Sequence, residues 1–300
     1  MWRKIRLLLI ISGLIVAVNA NAKFDDPKTI EVGPHVCLSY YMGDLNPTLP
    51  IAMADLQYGG LVRFNYNNRW TFRCDYAYVT VKADDNIIKW RPERGLNFTS
   101  KIHDLSFVTE FNFWEYYTGN PKRNVSPYIF GGISVFYYTA FANVGGTLVD
   151  LSDHKTEPIP SNPKWYDKPF GKESPIGISI PFGVGVKFAL SRRMAGTVEW
   201  RMQKTLTDYL DDVGTVYPAD DKHATVIHEG LYYDLTDPTA TPSGILVDGD
   251  GHPTETPDRK YTEGQQRGNS AYNDWFGMAR VSLTWKFNLP DRRGCNLSKF

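Results

Sequence analysis

Gly177-Ile178-Ser179-Ile180-Pro181-Phe182-Gly183-Val184-Gly185-Val186-Lys187-Phe188-Ala189-Leu190 is a run in which every second residue is bulky and apolar. Ile178, Ile180, Phe182, Val184, Val186 and Phe188 share one face. Ser179, Pro181, Gly183, Gly185, Lys187 and Ala189 share the other. Successive side chains of a strand leave opposite sides, so the run predicts a strand with one greasy wall and one small or charged wall.

Seven more segments carry β-branched or aromatic residues between turn residues, near Ile30–Met42, Gly60–Asn67, Arg69–Val81, Ile102–Trp114, Pro127–Thr139, Met194–Met202 and Trp275–Phe287. In the first, Val32, Val36, Leu38 and Tyr40 oppose Gly33, His35, Cys37 and Ser39. In the fourth, Leu105, Phe107, Phe111 and Phe113 oppose Asp104, Ser106, Glu110 and Asn112. In the last, Val281, Leu283, Trp285 and Phe287 oppose Arg280, Ser282, Thr284 and Lys286. The fifth is ambiguous, because Phe130, Phe136 and Tyr138 fall on one face with Gly132 and Ser134.

A soluble sandwich also alternates. Two features favour a membrane barrel instead. The polar face is small or charged while the other is bulky and often aromatic, as lipid outside and a filled lumen inside require. The connections also alternate in length. Asn67-Asn68, Glu115–Ser126 and Ser191–Arg193 are short, whereas Gly43–Gly59, Lys82–Lys101, Ala140–Ile176 and Gln203–Asp274 are long. Short periplasmic turns and long outer loops are a signature of outer-membrane barrels. The expectation is therefore an all-β, eight-stranded antiparallel transmembrane β-barrel in the cell outer membrane, with both chain ends in the periplasm.

The start of the chain agrees. Arg3, Lys4 and Arg6 precede the uncharged run Leu7–Val18, and Ala20-Asn21-Ala22 offers small residues to a signal peptidase. The run is too short for a spanning helix, which needs about 20 residues. Residues 1–22 read as a cleaved signal peptide and 23–300 as the barrel, with an acidic loop at 203–274 and a periplasmic tail at 288–300. The charges balance at 33 basic and 33 acidic, with 14% aromatics. Losing three basic residues with the signal leaves the chain slightly acidic, which is no nucleic-acid footprint. From Thr205 to Asn273 acidic residues outnumber basic ones 13 to 4, and Pro, Gly and Thr are frequent. That stretch is expected to be mobile or only locally folded.

By the alternation, Arg63, Arg73, Asp75, Asp104, Glu110, Lys187, Glu199, Arg201, Arg280 and Lys286 face the lumen. The interior of an eight-stranded barrel is just wide enough for side chains to fill. Buried charges must be paired, so the expectation is an ion-pair plug rather than a selective pore. Asp248-Gly249-Asp250-Gly251 has the start of a calcium loop, but the position that should be Glu is Arg259, so a solvated acidic turn is expected. His154, His223, His228 and His252 fall in outer loops near many Ser and Asp residues. An outer-leaflet enzyme would need a nucleophile and base to converge there, and no spacing joins them. No cofactor, metal or small-molecule substrate is expected.

Three stretches carry a resemblance. They are Ser39-Tyr40-Tyr41-Met42-Gly43-Asp44-Leu45-Asn46-Pro47, then Pro181-Phe182-Gly183-Val184-Gly185-Val186-Lys187, and Glu199 through Val213, which contains Thr207-Asp208-Tyr209-Leu210-Asp211-Asp212. The sequence resembles the PorG family of Bacteroidetes outer-membrane proteins, a component of the type IX secretion system. The resemblance implies a non-enzymatic part of a secretion and gliding machine, one that ties a periplasmic ring of a lipoprotein and its partner to the outer membrane. The acidic insertion after Val213 and the long third loop depart from a minimal member. A surface adhesin working through the long loops is the other non-enzymatic reading.

The periplasmic parts are basic: Lys122, Arg123, Arg192, Arg193, Arg292, Arg293 and Lys299. Such a face suits an acidic partner or anionic headgroups, or it is scatter. Cysteines number three. Cys37 faces the lumen and Cys74 the lipid, on non-neighbouring strands, so they cannot be bridged. Cys295 lies in the tail beside Arg292 and Arg293, where positive charge lowers a thiol's pKa. It is expected to form a disulfide with a periplasmic subunit, such as the ring lipoprotein that the resemblance implies, or to remain an unpaired tail thiol.

Overall fold

A computed structural model describes residues 28–47, 51, 53–152, 154, 156–158, 174–219, 222–240, 244–250, 252–256, 258–269 and 272–289. The expected signal peptide (1–22), Arg292, Arg293, Cys295 and Lys299 lie outside them. Eight long strands form the wall: β1 (Thr29–Met42), β2 (Asp55–Asn65), β3 (Trp70–Asp84), β4 (Asn97–Asn112), β5 (Val125–Val144), β7 (Ile176–Ala189), β8 (Met194–Thr205) and β12 (Trp275–Asn288). Each pairs antiparallel with its neighbours in sequence. The first and last strands meet in the β1–β12 pair, and β4–β5 pairing completes a closed barrel. The expected strands are all present; several run further at the long-loop end. A closed sheet leaves no unpaired edge in lipid, the condition a β-protein must meet to cross a bilayer.

Burial follows the two-residue period. Val36, Val62, Phe72, Phe107, Ile133, Val184, Val198 and Val281 are each 45–56% exposed on the outer face. Between them, inward residues such as Ser39, Thr71, Ser106 and Thr197 are sealed. An apolar belt running round the whole barrel is intelligible only as a surface that faces lipid.

The ambiguous fifth strand is settled by what stands opposite it. Tyr128, Phe130 and Phe136 point inward, and across the ladder stand Gly185, Gly183 and Gly177. A Cβ on Gly185 would lie 2.7 Å from the Tyr128 ring, and one on Gly177 would lie 2.2 Å from that of Phe136. The rings occupy the space the glycines leave, a cross-strand pairing that offsets the weakness of glycine in a strand.

At one end Thr29 pairs with Asn288 and the turns are short; at the other the loops are long. Helix α1 (Asp85–Ile88) follows β3, with the Asp84 side chain accepting from the Asn86 amide at its start. Strand β6 (Thr147–Asp150) folds back on the end of β5. The last loop holds a small sheet of β9 (Thr225–His228), β10 (Leu231–Asp234) and β11 (Ile245–Leu246). Its first hairpin turns at Glu229 and Gly230, both at positive φ, 50° and 77°. That is the turn whose twist suits paired strands. Of the two expectations for the acidic loop, mobile or only locally folded, the small sheet corresponds to the second, and further contacts tie the loop to the rest of the fold. Its order comes from contacts with other loops, described next.

Candidate functional site

Nine of the ten inward charges meet in one buried network. Arg73 pairs with Asp75 (3.0 Å), Glu110 (2.7 Å) and Glu199 (2.6 Å). Arg201 joins Asp75 and Asp104, at 3.1 and 3.2 Å. Arg280 bridges Asp75 and Glu199. Glu110 also receives Arg63 (3.2 Å) and Lys187 (2.6 Å). Lys187 lies 4.8 Å over the Tyr128 ring, and the Tyr128 hydroxyl donates to Glu199 at 2.6 Å. Lys286 sits lower, its Nζ donating to the Thr118 carbonyl 4.4 Å over the Tyr117 ring. The sequence reading passed over Glu31, although it shares the inward face with Gly33 and His35; parity alone would have found it.

Both mouths are closed. At the short-turn end, the segment between β4 and β5 tucks beneath the wall. Tyr116 and Thr118 are buried there, and the Thr118 hydroxyl donates to Glu31 at 2.5 Å. Thr284 and Asn65 complete the shell around Glu31. At the long-loop end, Leu210 and Val213 drop between the strand tips and pack with Tyr41, Leu45, Phe98, Phe136 and Phe276. The Ser100 hydroxyl holds the Leu210 carbonyl.

Buried ion pairs lock this cap. Arg94 binds Asp85 at 2.9 Å and donates to the carbonyls of Arg267 and Asp44. Arg267 pairs with Glu157 at 2.9 Å, and Glu157 also takes the amides of Gly214 and Thr215. Four loops are therefore tied into one lid. Arg94 and Asp85 stand nine residues apart in one loop, but the contacts of Arg94 with Asp44 and Arg267, and of Arg267 with Glu157, join loops far apart in the chain, and no local pattern could reveal them.

Beneath the lid Asp44, Asp208, Asp211 and Asp274 gather. The Tyr41 hydroxyl lies 2.5 Å from Asp211 and 2.6 Å from Asp274. A phenol carries one hydrogen and can donate to only one of them, so the other contact needs a proton on a carboxyl. Burial, followed by the neighbouring Asp274, Asp211, Asp44 and Glu157 charges, pushes Asp208 up to about 11. Burial raises Asp274 to about 8, with Asp44 adding to the effect. Asp211 is raised as well, first by burial and then by Asp274 and Asp44. Among the described residues no group of His, Cys, Asp and Glu has a metal-holding arrangement.

The remaining candidates are dispersed. The His223 Nδ1 pairs with Asp234 at 2.8 Å, an orienting contact that a catalytic histidine would share, but its side chain is buried and Asp234 is also held by Arg259. His228 and His252 lie beside Glu229 and Asp248. The Asp248 carboxylate accepts the amides of Asp250 and His252, as a solvated turn does. Cys37 is buried in the lumen, Cys74 is half-buried on the outer face, and both are free. Lys122, Arg123, Arg192 and Arg193 share the short-turn end with Lys28 and Arg69, and Glu115 is the acidic side chain among them, 3.2 Å from Arg123.

A closed barrel with a lipid-facing belt and a filled lumen defines a small outer-membrane β-barrel protein. The chain belongs to the family described as a domain of unknown function, DUF6089, which matches residues 5–161. No curated protein matches the sequence. Among solved structures it is similar to the attachment invasion locus protein Ail of Yersinia pestis, at 8% identity and TM-score 0.38, over 87% of this chain and 100% of that one. It is also similar to OprG from Pseudomonas aeruginosa, at 9% identity and TM-score 0.38, over 88% and 97%. Neisserial surface protein A matches at 10% identity and TM-score 0.37, over 86% and 97%. The fold itself rests on the register and burial given above.

Proposed function

We propose that this barrel is a non-enzymatic subunit of a type IX protein secretion and gliding machine, holding a periplasmic ring of a lipoprotein and its partner at the outer membrane. The observation that carries the proposal is the cap. The stretches Gly43–Asn46 and Thr207–Asp212, the most specific part of the likeness to the PorG family, lie far apart in sequence and come together over the lumen, Leu45 and Leu210 sharing one buried apolar cluster. The family signature therefore corresponds to one piece of architecture. A sealed lumen supports a scaffold, because the working surfaces left are the two ends. The basic short-turn end, facing the periplasm in barrels of this type, suits an acidic partner. Cys295, outside the described residues, would add a covalent tether.

The test is a crosslinked pulldown of the tagged protein from outer membranes. A periplasmic lipoprotein should be recovered. It should be lost when Lys122, Arg123, Arg192 and Arg193 are changed to Glu, in barrels that still fold. Equal recovery from both forms would rule out the basic face, and a pulldown with no periplasmic component would end the ring-anchoring reading. A non-reducing gel of alkylated membranes checks the tether: a higher-mass band should vanish on reduction and be missing in Cys295→Ser.

A further inference from the structure

Outside the lumen, at the long-loop rim, a cavity of about 620 Å³ opens beside β1, β12 and β8. Its floor is Met42, Met202 and Trp275, outward-facing side chains near the long-loop ends of the three strands. They adjoin one another across the ladder, Met42 opposite Trp275 and Met202 opposite Gly277. The floor continues the lipid-facing belt: the Tyr40 hydroxyl reaches the Met202 sulfur at 3.0 Å, and the Tyr40 ring lies 5.3 Å from that of Trp200. The upper wall is different. Trp90 (52% exposed), Tyr272 (73% exposed) and Arg91 come from loops above the membrane level.

Two cations flank the floor. Arg91 is about a third exposed and meets Glu93 through its Nε at 3.3 Å. Lys204 projects outward one step above Met202, with its Nζ 5.4 Å from the Trp275 ring centre. The one carboxylate in the lining, Asp44, accepts the Asn269 amide. The cavity is thus apolar below, aromatic and polar above, and cationic at its edges, and it straddles the level where lipid meets water.

We propose that this rim cavity binds a phosphorylated glycolipid of the outer leaflet. The acyl chain lies on Met42 and Met202, continuous with the belt. The saccharide stacks on Trp90 and Tyr272, whose exposed flat rings suit a sugar face and sit at interface level. The phosphate is held by Arg91, whose fork matches phosphate geometry, and by Lys204, whose long stem carries its charge to the headgroup plane.

The test uses the folded full-length barrel in phosphatidylcholine nanodiscs and lipid A as the probe, a diphosphorylated glucosamine disaccharide with acyl chains, with binding read by native mass spectrometry. Wild type should retain the lipid. Arg91→Ala with Lys204→Ala should weaken retention about thirtyfold, the effect of two cations at headgroup level. Trp90→Ala should weaken it too. Lys101→Ala, at a rim cation lying over Phe141 instead, should leave it unchanged. Heat-modifiability on gels confirms that each variant is folded. The proposal is overturned if the double variant binds as well as wild type or if dephosphorylated lipid competes equally. It is overturned also if the water-soluble diphosphorylated disaccharide binds as tightly as the lipid, since the occupant would then be a free sugar phosphate.

Discussion

Glu199 accepts from Arg73, Arg280 and Tyr128 at once, in a lumen where none of these groups meets water. Replacing it with Leu would leave two guanidinium groups and a phenol facing a methyl group. Breaking one side of a buried ion pair costs about 3–5 kcal/mol. Glu199→Leu should therefore lower the urea midpoint of the detergent-solubilised barrel, whereas Glu115→Leu, at the exposed pair with Arg123, should barely move it. Equal midpoints for Glu199→Leu and wild type would mean that the network relaxes around the loss. Gly185 makes a steric argument of the same kind. Gly185→Val should displace the Tyr128 ring and with it the bond to Glu199, at a cost of about 1–3 kcal/mol for overpacking. Unfolding of the variant beside Tyr128→Phe separates the clash from the lost hydrogen bond.

The cap is the element whose stability depends on pH. Asp274 and Asp208 are raised to about 8 and about 11, so the native cap prefers them protonated. An acid shifted upward gives its full contribution below its unfolded value, about 4, and loses it as the pH climbs to its native value. For Asp274 that window runs from there to about 8. Once base-catalysed intrinsic exchange is divided out, the protection of amides in the 206–217 segment should fall between pH 5 and 8.5, while that of the β3–β4 ladder holds. Asp208→Asn removes one of the crowded carboxyls that the native cap holds protonated and should flatten this dependence. Protection in that segment that is flat with pH in the wild type would contradict the shared-proton account of Tyr41, Asp211 and Asp274.

The whole molecule is sealed twice, by Tyr116 and Thr118 at one mouth and by Leu210 and Val213 at the other. Reconstituted protein should give no steady current across a planar bilayer. A large, stable conductance would mean that the cap leaves the mouth and that the inward charges act on ions. Orientation is tested in intact cells. A protease-sensitive tag at Gly249, in the long-loop end, should be cut, and one at Arg192, in the short turn between β7 and β8, should be protected. The opposite pattern would invert the barrel and place the basic face outside.

The sequence by itself determined how many strands cross, which face of most of them meets lipid, and which end has the short turns. It also placed Arg73, Asp75, Glu110, Glu199 and Arg201 in the lumen. These follow from a period of two within single segments, a local signal that sheet geometry turns directly into inside and outside. Only the tertiary structure decided the rest. Whether Tyr128 and Phe136 point inward depends on Gly185 and Gly177, residues of another strand. The folding of the acidic loop depends on Arg94, Glu157 and Arg267, each held by a carboxylate, carbonyl or amide from another loop. The carboxylates of Asp44, Asp211 and Asp274 meet because barrel closure brings the tips of β1, β8 and β12 side by side. Pairing between strands and between loops is a property of their juxtaposition, and no window of neighbouring residues contains it.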